Sequence, residues 1–129
     1  MLYPDIETVK RQAGEGTVVP VVKQILADTD TPVSAYLKIR DRSTYSFLLE
    51  SVEGGETTAR YSFLGADPYL IFRSRGRSGT VRDLNTGKER RFTGDPIGEL
   101  RSLMAHNKSA GIPGLPRFTG GGVGYISYD

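Results

Sequence analysis

The chain has 129 residues, a hydrophobic share of 37%, a charged share of 25% and a net charge of +2. That is one domain's worth by the rough norm of 100–200 residues per domain, and long enough to bury a core. No Cys and a single His are present; this excludes disulfides, thiolate metal sites and a Cys nucleophile, and leaves no His pair for a zinc site.

In chain order, Asp5 to Gln12 reads as a short helix with Ile6 and Val9 as its apolar contacts, ended by Gly14 and Gly16. Residues 18–26, VVPVVKQIL, read as extended, and Pro20 argues against a central strand. Thr31-Pro32 is a helix start, with Thr31 as N-cap and Pro32 in the first turn. PVSAYLKIR then reads as a short helix facing inward with Val33, Tyr36, Leu37 and the stem of Arg40, and an extended reading of the same residues stays open. TYSFLLESV, residues 44–52, reads as a strand. Tyr45, Phe47, Leu49 and Ser51 share one face and Ser46, Leu48 and Glu50 the other. Both faces are largely apolar, so this strand is expected to be covered on both sides.

Glu53-Gly54-Gly55-Glu56 reads as a turn, RYSFLGA (60–66) and YLIFRSRG (69–76) as strands. SGTVRDL and KERRF flank a hairpin turn at Asn85-Thr86-Gly87, where Gly87 can take the left-handed conformation. Asp95 and Pro96 open the best helix, with Ile97, Leu100, Leu103 and Met104 as its apolar stripe. GIPGLPRFTGGG reads as a loop, and GVGYISYD as a final strand. These elements give an α+β fold: a mainly antiparallel sheet with two or three short helices, in a single domain over 1–129.

Charge is uneven along the chain. Residues 1–69 carry seven Lys/Arg and ten Asp/Glu, whereas residues 70–108 carry nine and four. Arg73, Arg75 and Arg77 recur at every second position, opposite Leu70 and Phe72, which reads as a solvated strand face; no aromatic sits among them for stacking a nucleic-acid base. A stand-alone basic binding module, sensitive to salt, is the reading from a different class.

No catalytic set stands out. GGGVGY (120–125) lacks the Gly-Lys-Ser/Thr of a phosphate loop and the third Gly of a dinucleotide fingerprint, so it reads as close backbone packing. Glu50, Glu53 and Glu56 have helical spacing, but Gly54-Gly55 argues against a helix there. His106 reads as a C-terminal helix cap. The start of the chain has no apolar run typical of a signal peptide, and no stretch reaches the 18 or so apolar residues of a membrane span. A cytoplasmic protein is the expectation.

Four segments resemble, in order, the N-terminal region of anthranilate synthase component I: VVPVVKQILADTDTPVSAYLKI (18–39), FLLESVEGGE (47–56), RYSFLGADP (60–68) and RFTGGGVGYISYD (117–129). The resemblance implies a lyase subunit that converts chorismate and glutamine-derived ammonia to anthranilate and pyruvate, with magnesium, in tryptophan biosynthesis. The para-aminobenzoate and isochorismate synthases are the alternative relatives. It implies a portion of a longer subunit, inactive alone, whose chorismate and magnesium residues lie in a C-terminal domain not represented here. It thus implies no catalytic or metal residue and no cofactor on this stretch. The implied partners are that C-terminal chorismate-binding domain, a glutamine amidotransferase (component II) and L-tryptophan as feedback inhibitor; nucleic acid and membrane are not among them. The LLES motif carries over onto Leu48, Leu49, Glu50 and Ser51. By that resemblance Ser51 is the contact for tryptophan, with Leu49 and Glu50 beside it and the pocket's other wall supplied by the C-terminal domain. Without its cover, the final strand (Val123, Tyr125, Ile126, Tyr128) is expected to be an exposed apolar edge that favours self-association.

Overall fold

The computed structural model describes residues 1–14, 17–50 and 61–128. The described elements run β1 (Leu2–Tyr3), α1 (Ile6–Gln12), β2 (Thr17–Val18), β3 (Val22–Lys23), α2 (Pro32–Arg40), β4 (Ser46–Leu49), β5 (Phe63–Ala66), β6 (Leu70–Arg75), β7 (Ser78–Asp83), β8 (Glu89–Thr93), α3 (Pro96–Ala105) and β9 (Lys108–Ser109). This is a small α+β fold with mainly antiparallel pairing. The chain divides into two compact units. The first gathers Met1–Ile25, Arg75–Ser78 and the described residues from Thr93 onward; the second comprises Leu26–Ser74 and Gly79–Phe92.

In the first unit, β1 pairs antiparallel with β3 (Leu2↔Lys23, Tyr3↔Val22), and β2 pairs parallel with β9 (Thr17↔Lys108, Val18↔Ser109). Pro20 falls between β2 and β3. Its missing N–H forbids a continuous ladder, so the extended stretch read from the sequence splits into two short strands. Neither β1 nor β9 is signalled by sequence pattern, because two residues are too few to show alternation. The Asp5 carboxylate accepts from the Thr8 N–H at 2.7 Å and starts α1. Asp95 does the same for α3, accepting from the Ile97 N–H at 3.1 Å. His106 is the C-cap of α3, and its ring lies with Nδ1 2.6 Å from the Ser102 carbonyl oxygen. Leu100 and Leu103 are half-buried, whereas Ile97 and Met104 are exposed. The tail of Met104 lies over the glycine run, with its Cε 3.6 Å from where a Gly121 Cβ would be. Gly121 has φ +133°, which L side chains rarely adopt.

Residues 121–128 form no strand. The β-branched and aromatic residues Val123, Tyr125, Ile126 and Tyr128 suit a strand, but a strand needs a neighbour for its backbone groups, and no described segment pairs with this one. Tyr125 and Ile126 are accordingly 93% and 83% exposed.

In the second unit, α2 is fixed by reciprocal capping. Thr31 Oγ1 accepts from the Ser34 N–H at 3.0 Å, and Ser34 Oγ accepts from the Thr31 N–H at 2.8 Å. The helix begins where the sequence places it, but its inward face differs. Pro32, Ala35, Tyr36 and Ile39 are half-buried, whereas Val33, Leu37 and Arg40 are exposed. The sequence offers both stripes, and packing on β4 and β5 decides between them: the Tyr36 hydroxyl is 3.0 Å from Ser46 Oγ on β4.

β6, β7 and β8 form a three-stranded sheet in that order. The connections are too short for anything but antiparallel pairing. The Leu84 N–H donates to the Tyr69 carbonyl and the Asp83 N–H to the Lys88 carbonyl, both at 2.8 Å. Those bonds set the register, placing Arg73 beside Thr80 and Thr80 beside Arg91. One face of the sheet carries Leu70, Phe72, Val81 and Phe92. Val81 is buried, and the Phe72 and Phe92 rings stack with centroids 5.4 Å apart. The turn at 84–88 uses Gly87 at φ +73°, as its sequence suggests. It also uses the Asp83 carboxylate, which accepts from the Asn85 and Thr86 N–H groups at 2.8 and 3.0 Å.

Candidate functional site

The residues singled out by the LLES motif lie at the end of β4. β4 pairs antiparallel with β5 in the register Ser46↔Ala66, Phe47↔Gly65, Leu48↔Leu64 and Leu49↔Phe63. Ser46 and Leu48 point to the face that bears α2. Tyr45, Phe47 and Leu49 point to the opposite face, with Phe63 and Tyr61 beside them from the partner strand and its approach.

That opposite face is aromatic. The Phe47 ring lies across Gly65, so close that a Cβ there would stand 2.6 Å from its Cε1. Phe63 stands directly across from Leu49, and the Tyr61 and Phe63 rings are 6.2 Å apart, tilted by 33°. Leu49 is 48% exposed and Tyr61 47%. The expectation that β4 is covered on both sides is therefore corrected. Its residues are half-buried at most, because α2 covers one face and the other remains accessible at the Leu49 end.

Glu50 is exposed and follows the last residue of β4. Ser51 lies outside the described residues, as do Glu53, Glu56 and the turn read at 53–56. The structure thus brings Leu49 and Glu50 to the open end of an aromatic wall. Tyr61 and Phe63 belong to that wall and were not singled out from the sequence. Their signal was present: they alternate in RYSFLG, the segment that pairs with the motif.

The opposite end of β4 is tied down. Ser43 Oγ donates to the Tyr45 carbonyl at 2.7 Å and accepts from the Asp67 N–H at 3.0 Å. Asp67, at φ +54°, makes the tight bend that ends β5. Arg73 donates to the Tyr45 hydroxyl at 3.0 Å and lies 5.7 Å from the centre of that ring. The arginine stretch therefore does meet an aromatic side chain, brought from 28 residues away. Spacing within the stretch could not show this.

A hollow of about 280 Å³ occurs in the first unit, against Pro20, Ala110, Ile112, Leu115, Pro116 and Arg117. None of the described motif residues lines it. Among the described residues, no three His, Asp or Glu side chains converge on one point. No described helix is long and apolar enough to cross a membrane.

Comparison with known proteins gives one consistent result. The chain is 41% identical over 129 residues, all of its length, to anthranilate synthase component 1 of Acetivibrio thermocellus, and covers 26% of that protein. It is 38% identical, again over its whole length, to anthranilate synthase component 1 of Synechocystis, covering 25%. With the Neisseria gonorrhoeae protein of the same name it shares 41% identity over 119 residues, 92% of this chain and 24% of the relative. The match falls in the N-terminal region of these proteins. The chain spans about a quarter of the length of the curated relatives it matches. No family model matches it, and no solved structure does so significantly.

Proposed function

We propose that this chain, similar along its whole length to the N-terminal region of anthranilate synthase component 1, is the tryptophan-sensing portion of such a subunit. The parent would convert chorismate and glutamine-derived ammonia to anthranilate and pyruvate. Magnesium and chorismate chemistry would belong to the remainder of the parent, and no step is assigned to residues of this chain. Its role is to bind L-tryptophan and report that binding to the catalytic part.

The observation that carries this reading is the half-open aromatic wall of Phe47, Leu49, Tyr61 and Phe63 at the end of β4, where Glu50 and Ser51 follow. An indole laid on that wall removes apolar surface from water on both sides. Covering one face of a ring, on the order of 100 Å², stabilises by about 2–3 kcal/mol. Glu50, which alternation turns to the other face, contributes through its backbone groups, and Ser51, on the Leu49 side of the alternation, supplies a hydroxyl for either charged end of a free amino acid. The whole is worth less than the roughly 4 kcal/mol of a millimolar complex once ordering costs are set against it. A second wall from the rest of the parent is therefore needed for tight binding. This requirement is what makes the site a sensor: tryptophan held between two parts favours the arrangement that offers both walls, to the extent of its differential affinity.

The test is inhibition of the full-length parent by L-tryptophan, with Ser51→Ala compared to wild type. Losing a hydrogen bond to a charged group costs about 1.5–3 kcal/mol, so half-inhibition should need roughly 10–100 times more tryptophan, while kcat without tryptophan stays unchanged. Equal sensitivity of the two proteins would defeat the assignment of Ser51. A wild-type parent that tryptophan neither binds nor inhibits would defeat the sensing role itself.

A further inference from the structure

The face of the β6–β7–β8 sheet opposite Val81 has no part in the tryptophan reading. The register set by the Leu84–Tyr69 and Asp83–Lys88 hydrogen bonds puts Arg73, Arg82 and Arg91 together there, one from each strand, around Thr80. Arg73 and Arg91 flank Thr80 across the sheet, about 10 Å apart at the backbone. Arg82 is the diagonal neighbour of both, about 7–8 Å from each. All three are exposed.

Glu89 is directly opposite Arg82 in this register, yet the two form no ion pair among the described residues. Arg91 likewise makes none. Arg73 is anchored by the Tyr45 hydroxyl and ring, which fixes the direction of one guanidinium without neutralising it. Arg73–Arg82 and Arg82–Arg91 are diagonal neighbours, so three positive charges share one small area of the sheet.

We propose that Arg73, Arg82 and Arg91 form a docking face for a carboxylate-bearing surface of a partner protein. Three points select that partner chemistry. The cations are all arginine, whose rigid fork pairs with carboxylates in two-point contacts and sheds water more readily than lysine. Arginine is also the charged residue enriched in protein interfaces, where lysine is depleted. Glu89 lies within the patch, and would repel a continuous track of phosphates but can meet a lysine among the partner's acids.

The experiment uses the full chain and a fluorescein-labelled twelve-residue oligoglutamate, read by anisotropy at about 10 mM and about 150 mM salt, where the screening length falls from about 30 to 8 Å. Oligoglutamate should bind at low salt and weaken as salt rises. Exposed ion pairs are individually weak but three are lost together, so the triple variant R73Q/R82Q/R91Q should bind about tenfold or more weakly. A charge-matched control, K23Q/K108Q/R117Q, should bind as wild type does. The triple lysine variant R73K/R82K/R91K, which keeps charge but loses the fork, should fall between the two and guards against a folding defect in the glutamine variant. An oligothymidylate of equal charge should bind more weakly than oligoglutamate. No binding of oligoglutamate, equal losses in both glutamine variants, or tighter binding of the oligothymidylate would each overturn the proposal.

Discussion

Gly79→Ala tests how closely β7 is packed in its sheet. By backbone preference alone the substitution should stabilise, since Ala in a strand interior is better than Gly by roughly 0.5–1 kcal/mol. The structure reverses that sign. A Cβ at position 79 would overlap the Arg73 carbonyl oxygen and stand 2.5 Å from Cζ and 2.7 Å from Cε1 of Phe92. Ordinary carbon contacts are about 3.5–4.0 Å, so the ring must move by about 1 Å. It cannot move freely, because it stacks on Phe72 at 5.4 Å beside buried Val81. Such overpacking costs about 1–3 kcal/mol. Urea unfolding followed by circular dichroism should therefore show a midpoint lower by about 1 M, given a slope of about 1–3 kcal/mol per M. Phe92→Leu in the same chain should relieve part of the loss, because it removes the ring but not the conflict with the Arg73 carbonyl. A midpoint for Gly79→Ala equal to or above wild type would refute the packing argument.

Three further outcomes are expected. Asp83→Ala should destabilise by about 1 kcal/mol, because the Asn85 and Thr86 N–H groups lose their acceptor; Asp83→Asn, which keeps an acceptor oxygen, should lose less in the same unfolding assay. Thr31→Ala should cost about 1 kcal/mol through the lost cap on α2, seen as a lower unfolding midpoint and faster hydrogen exchange at the Ser34 amide. The Asp30 carboxyl is held below its usual value of 3.8, first by the Lys38 ammonium 2.6 Å away and then by the Ser34 hydroxyl. A depressed carboxylate pKa stabilises the fold above the unfolded value, and that contribution disappears as pH falls through the folded one. The stability gap between wild type and Asp30→Asn should thus be present at pH 5–7 and close as pH drops below about 3.9.

Helix starts and tight turns were legible in the sequence because their causes are local. Thr31-Pro32, Asp95-Pro96 and Gly87 act within one turn of chain, and each operates where its residue type indicates. The alternation of Tyr45, Phe47 and Leu49 was legible for the same reason, since a strand's two faces follow from its backbone alone. The family resemblance was legible too, carried by whole motifs in order.

What touches each face was decided by the tertiary structure. α2 could bury either of two stripes, and docking on β4 and β5 selected Pro32, Ala35, Tyr36 and Ile39 over Val33 and Leu37. Residues 121–128 have a strand's composition, but no described strand pairs with them, and a ladder's hydrogen bonds cannot be made alone. The aromatic wall needed Tyr61 and Phe63 to be set beside Leu49, and the arginine face needed three strands in register. Local signals fix the conformation of a segment, whereas burial and pairing depend on which segment comes to lie against it.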